Sequence, residues 1–148
     1  MRDEKKAERK AYSETEREAI VERFPVLAEG WKEQADGSFF LELKSPSGGN
    51  FWIETRRFEI IVGFEFPHQH FGSSETAADA EPHEDVQEAE GLIRDLLAGK
   101  YKAATWTRKG KYVQSMLIES EIDPATIPMS WLGHWWTKGC TIEERRWD

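Results

Sequence analysis

Residues 58–71, FEIIVGFEFPHQHF, constrain the fold more than any other stretch of the chain. Side chains alternate along a strand, so Phe58, Ile60, Val62, Phe64 and Phe66 share one face, while Glu59, Ile61, Gly63 and Glu65 share the other. One wholly apolar face and one mixed face describe a central strand with its inner side in the core. Pro67 has no backbone donor and is expected to end the ladder. His68, His70 and Phe71 then stand at the mouth of the sheet.

The flanking segments read as partners for that strand. Residues 31–35 and 38–44 bracket Asp36-Gly37, a two-residue hairpin signal, and Phe39, Leu41 and Leu43 share a face. The loop-forming run 45–50, SPSGGN, leads to a third strand over 51–56, and Arg56-Arg57 turns into the fourth. Four consecutive strands with tight links predict an antiparallel meander. Ser13-Glu14-Thr15-Glu16 has the form of a capping box and predicts a helix start, followed by an apolar stripe of Ile20, Val21, Phe24 and Leu27. A second helix is expected from Pro82 to Ala98. Its stripe is Val86, Ala89, Ile93, Leu96 and Leu97, with Leu92 beside it and Gly99 as the cap. Two further strands, 100–108 and 111–119, flank Lys109-Gly110. The fold class is therefore α+β: an antiparallel sheet of a four-strand meander plus two strands, two helices packed on it, and an irregular Trp-rich C-terminal tail. Residues 1–12 read as a flexible charged lead-in and 13–148 as a single α+β domain.

Charge and cysteine usage narrow the function classes. The net charge is −8 and it is uneven: residues 1–12 carry five basic and three acidic groups, while the other 136 carry 15 basic and 25 acidic. An acidic body disfavours nucleic acid and anionic membranes as partners and suits a basic protein partner. Cys140 is the single cysteine, so no internal disulfide is possible. The charged N-terminus has no apolar core of signal-peptide type, and no apolar run approaches the ~20 residues that span a bilayer. These features predict a soluble, cytoplasmic protein with no membrane partner.

Two places are candidates for chemistry. His68 and His70 form an H-x-H pair whose rings point the same way if the segment is extended, the geometry of a transition-metal or small-ligand corner. His83 lies past the polar stretch 72–82, with acidic residues nearby and His134 as a remote fourth candidate. The other reading makes these histidines half-exposed strand-end residues bonded to backbone or water. There is no glycine-rich phosphate loop after a strand, no G-x-S-x-G and no H-E-x-x-H, so no catalytic residue and no cofactor is assigned. The second place is the tail, where Trp131, Trp135, Trp136 and Trp147 cluster with Arg146. Trp and Arg anchor protein interfaces. Trp131 and Trp135 also suit a role in covering the sheet, whereas Trp136 and Trp147 are the better surface candidates. The partner-binding set is thus Trp131, Trp136, Trp147 and Arg146.

Three pieces in order carry a family likeness. They are Phe66-Pro67-His68-Gln69-His70-Phe71 before a polar loop, an amphipathic helix ending in Leu96 to Lys100, and a late Ser130-Trp131-Leu132-Gly133 after two strands. Over residues 38–136 the chain resembles small bacterial proteins of unknown function that include immunity proteins of polymorphic toxin systems. The resemblance implies a cytosolic protein without catalysis that occludes a toxin, and it transfers no individual binding residue. Three readings follow: a non-enzymatic protein-binding domain of this inhibitor type, a ligand- or metal-binding enzyme at the His68/His70 corner, or a structural subunit of a homodimer or larger homo-oligomer.

Overall fold

The computed structural model describes residues 2–56, 58–72, 81–127 and 139–148. Two helices, α1 (Arg2–Arg23) and α2 (Pro82–Leu97), pack on an antiparallel sheet of β1 (Lys32–Glu33), β2 (Phe39–Lys44), β3 (Asn50–Arg56), β4 (Glu59–Phe64) and β5 (His68–Phe71). The strands lie in simple meander order. A second antiparallel sheet holds β6 (Tyr101–Arg108), β7 (Lys111–Glu119) and β8 (Thr141–Arg146), in the order β7-β6-β8. The α+β class, the two helices and the antiparallel strand pairing follow the expectation from the sequence.

The main core is built from the alternation that the sequence displays. Leu41 of β2, Phe51 and Ile53 of β3, and Ile60, Val62 and Phe64 of β4 point inward to one cluster. Ile20 of α1 and Val86, Ala89, Ile93 and Leu96 of α2 close over them. Pro82 occupies the first turn of α2, where its missing donor costs nothing, and Gly99 takes a left-handed φ of 71° just past the end. Ala103, Tyr101, Leu117 and Trp147 join the same cluster from the second sheet. The other face of that sheet buries Ala104, Trp106 and Ile118, packed with Met116, Ile142 and Cys140.

Three expectations are corrected. First, the meander has five strands. Pro67 does not end the sheet; it sits in a turn, where a proline needs no ladder donor. Glu65 adopts φ 58°, the Phe64 N–H donates to the Pro67 carbonyl at 3.1 Å, and β5 returns along β4 with Gly63 opposite His68. Phe66 is therefore 62% exposed at the turn rather than in the core, and Phe58 sits half-buried in the preceding turn at φ 67°. Second, α1 starts at Arg2, so residues 2–12 are helix and Ser13 does not cap. Lys, Glu, Ala and Arg are strong helix formers and dominate this stretch. Ion pairs of Arg9 with Asp36 at 3.3 Å and Lys10 with Glu33 at 3.2 Å hold it over the β1–β2 turn. Third, the two later strands form a sheet of their own rather than extending the meander, and it has three strands, because β6 pairs with β7 on one side and the tail ends in β8 on the other. Its TIEERR sequence carries almost no apolar signal; backbone pairing with β6 and a Lys102–Glu144 ion pair hold it in place. Residues 128–138 of the Trp-rich tail lie outside the described residues. Among the described residues no helix is long and apolar enough to cross a membrane.

Candidate functional site

The β4–β5 hairpin builds a histidine corner on the outer face of the first sheet, opposite the helices. His68 and His70 alternate with Gln69 and Phe71 along β5, so both rings share that face, with centroids 5.2 Å apart. His70 Nδ1 lies 3.0 Å from the Glu59 carboxylate, and His68 Nδ1 lies 3.2 Å from the Phe66 carbonyl. The Trp52 indole reaches across β4 to stand 5.5 Å from the His68 ring, and its Nε1–H donates to the Glu65 carbonyl at 2.9 Å. Gly63 makes this possible, because a Cβ there would collide with the indole. Phe40 continues the row, 6.1 Å from Trp52. His83 is exposed in the first turn of α2 and does not join this corner. Among the described residues, no three His, Cys, Asp or Glu side chains gather as a metal cage.

Beside the corner runs a cleft of about 430 Å³ bounded by Phe66, Pro67, His68 and Gln69 on one side and Tyr112, Ser115, Met116 and Leu117 on the other. It joins the outermost strands of the two sheets: among the described residues β5 pairs only with β4, and β7 with β6. Phe66 and Tyr112, 62% and 54% exposed, meet across it with centroids 5.2 Å apart. Two exposed rings offer apolar area, and the two strands present edges with no further strand paired to them among the described residues.

A third feature is buried. Glu16 of α1 is fully shielded, and neither of its carboxyl oxygens meets a donor among the described residues. The Asp85 carboxyl of α2 faces it, and the Tyr12 hydroxyl donates to Asp85 Oδ2 at 2.9 Å. Two carboxylates cannot bond one another without a proton. Burial first, then the Asp85 charge, pushes Glu16 up to about 11, so at neutral pH Glu16 carries that proton. Burial raises Asp85 as well, opposed by the bonds from Tyr12 and Glu16, and burial raises Tyr12. Gly72, at φ 109°, lies so close to Asp85 that a Cβ would strike its carboxyl. The arrangement holds a proton between two helices; enclosed as it is, it presents no reacting group to a substrate.

The tail candidates divide. Trp131 and Trp136 lie outside the described residues. Trp147 is partly buried and packs edge-on against Phe51 at 5.9 Å, at the margin of the main core. Arg146 is half-exposed on β8; its Nε pairs with Asp148 at 3.3 Å, and its carbonyl accepts from the Ser47 hydroxyl at 2.7 Å. The sequence reading passed over Trp52, Glu59, Tyr112 and Met116 as site residues, and the Tyr12–Glu16–Asp85 group. Gly63 inside a strand was the available signal for a ring lying across it. The buried acids left none, since Glu16 fitted a capping box and Asp85 a helix first turn. Comparison with protein families, curated proteins and solved structures finds no match for this chain.

Proposed function

We propose that this chain is a non-enzymatic protein-binding domain that takes an extended segment of a basic partner into the β5–β7 cleft and acts by occlusion, as an immunity-type inhibitor of a bacterial toxin does. One observation carries the reading: one edge strand of each sheet, β5 and β7, borders the same cleft, with Phe66 and Tyr112 exposed across it. A strand added there gains main-chain hydrogen bonds from an edge and ring contacts for its alternate side chains. The net charge of −8 favours encounter with a basic chain over nucleic acid. The likeness to immunity proteins supports the same class, and such a protein works in the cytoplasm without a cofactor.

A random-peptide display library panned on the folded protein tests this. The expected result is enrichment of basic peptides with alternating apolar residues. Their binding weakens with added salt and drops at least tenfold for Phe66→Ser/Tyr112→Ser. Peptides that bind this variant as well as the parent would place the interface elsewhere. A second copy of the chain is the competing occupant of the edge, and a concentration-dependent dimer lost in the same variant would replace the peptide reading with a homodimer.

A further inference from the structure

We propose that His68 and His70 form a binding site for a divalent transition-metal ion, copper(II) above nickel(II) and zinc(II), with water filling the remaining positions. The site goes beyond the binding function above; it borders the same cleft through His68 but rests on the two imidazole rings and not on the strand edge.

The strand places both rings on one face, two residues apart. What distinguishes this pair from two exposed histidines is that each Nδ1 is already engaged by a group that can only accept. The Phe66 carbonyl lies 3.2 Å from His68 Nδ1, and the Glu59 carboxylate 3.0 Å from His70 Nδ1. In the neutral rings the proton therefore sits on Nδ1, and both Nε2 atoms keep a free lone pair. That is the outer arrangement metal-bound histidines adopt, a backbone carbonyl or carboxylate fixing the tautomer and ring orientation. Glu59 is itself held by Arg56 at 3.6 Å, which keeps its carboxylate in place.

The spacing fits as well. Two imidazoles sharing one metal at about 2.0–2.1 Å from each ring nitrogen have ring centres about 4.5–5 Å apart, from the right angle of a tetragonal ion to the tetrahedral angle. Here the centroids stand 5.2 Å apart. No third His, Cys, Asp or Glu among the described residues completes a cage, so the protein supplies two ligands and leaves open positions. Such a site ranks metals by the general order of divalent affinities, with copper(II) at the top. His68 and His70 supply the ligands, Glu59 acts on His70 as a positioning residue, and Trp52, 5.5 Å from His68, reports occupancy through its fluorescence.

The test titrates the folded protein with copper sulfate, followed by calorimetry and by electron paramagnetic resonance. One equivalent is expected to bind, with a spectrum of two imidazole nitrogens in the first coordination sphere and quenching of Trp52 that Trp52→Phe removes. Single His68→Ala and His70→Ala variants are expected to weaken binding by about 100-fold. Glu59→Gln is expected to weaken it about tenfold while the two-nitrogen spectrum persists, the size typical of an outer partner. Absence of saturable binding by the parent overturns the proposal, and so does undiminished binding by a His68→Ala/His70→Ala variant with an unchanged circular dichroism spectrum. Phe66→Ser/Tyr112→Ser keeps the Phe66 carbonyl and both histidines, so it is expected to retain copper whatever its effect on peptides.

Discussion

Glu16 is the residue at which local sequence logic and tertiary structure part company. Ser13-x-x-Glu16 satisfies the capping pattern, yet both side chains are buried inside α1. The consequence is a stability that depends on pH. Folded Glu16 titrates at about 11, against an ordinary value of 4.5, so across that window the folded state binds a proton that the unfolded state has released. Stability is then greatest below the ordinary value and falls as pH rises toward 11. At pH 7 proton uptake by Glu16 costs about 3 kcal/mol, at 1.36 kcal/mol per unit. Asp85, also raised, adds a loss of the same sign; the Glu59 charge adds to the Glu16 shift, and Glu84 and Glu88 to that of Asp85. Glu16→Gln mimics the protonated acid and can still donate to Asp85. It is expected to gain up to about 3 kcal/mol at neutral pH and to flatten the slope between pH 5 and 9, about the window where the two carboxyl forms differ. Urea unfolding at several pH values reads this directly, and parallel curves for parent and variant would refute the shared proton. Gly63 is the opposite case, a residue whose place inside a strand is a local signal of a close approach, although the indole that lies across it is set by the neighbouring strand. Gly63→Ala drives a Cβ into the Trp52 indole and is expected to cost about 1–3 kcal/mol and to shift the Trp52 emission to the red.

Elements with strong internal periodicity were legible, and elements held by their neighbours were not. The α2 stripe announced both its bounds and its buried face, and Ile93→Ala is expected to cost about 2–5 kcal/mol in a denaturant melt because the side chain is fully enclosed. The strand alternation of β2 to β4 was equally plain. β5 was hidden because Pro67 is a strand breaker by itself and a turn residue only in the presence of the left-handed Glu65. β8 was hidden because its partners, not its own composition, make it a strand. The first three turns of α1 offer no apolar stripe, so their sequence alone resembles a flexible lead-in. Their attachment is electrostatic, through exposed pairs that contribute less than about 1 kcal/mol each. Ala11→Pro separates the two descriptions. It removes a helical hydrogen bond and is expected to cost about 3 kcal/mol in thermal or urea unfolding, together with a loss of helical circular dichroism. A flexible lead-in would tolerate the change with no effect on either measurement.

At the scale of the whole molecule, the chain is α+β with one core shared between two sheets. The histidine corner and the cleft both lie where the sheets meet, so their geometry depends on that shared core. Trp147 is the side chain that fastens the C-terminal end of β8 to the first sheet: its ring packs edge-on to the fully buried Phe51, and the adjacent Arg146 carbonyl accepts from Ser47 in the β2–β3 loop. The partly buried Trp147 ring is thus a tie between sheets, since a large ring contributes much apolar area even where one side stays open. Tyr101, Ala103 and Leu117 reach the same cluster, so the two sheets are expected to unfold together in a single cooperative transition. Trp147→Ala removes the largest of these contacts. It is expected to cost about 3 kcal/mol, the low end of the range for Trp→Ala because the ring is half-buried. The loss is expected in both sheets at once, lowering the midpoint seen by far-ultraviolet circular dichroism and that seen by tryptophan fluorescence by the same amount. Should the variant instead show two transitions, with the first sheet melting at its original midpoint, the sheets are independent units and the cleft between them has no fixed width. The peptide-binding reading would then require a partner that sets the cleft width on docking, and its affinity would fall with every loss of order between β5 and β7.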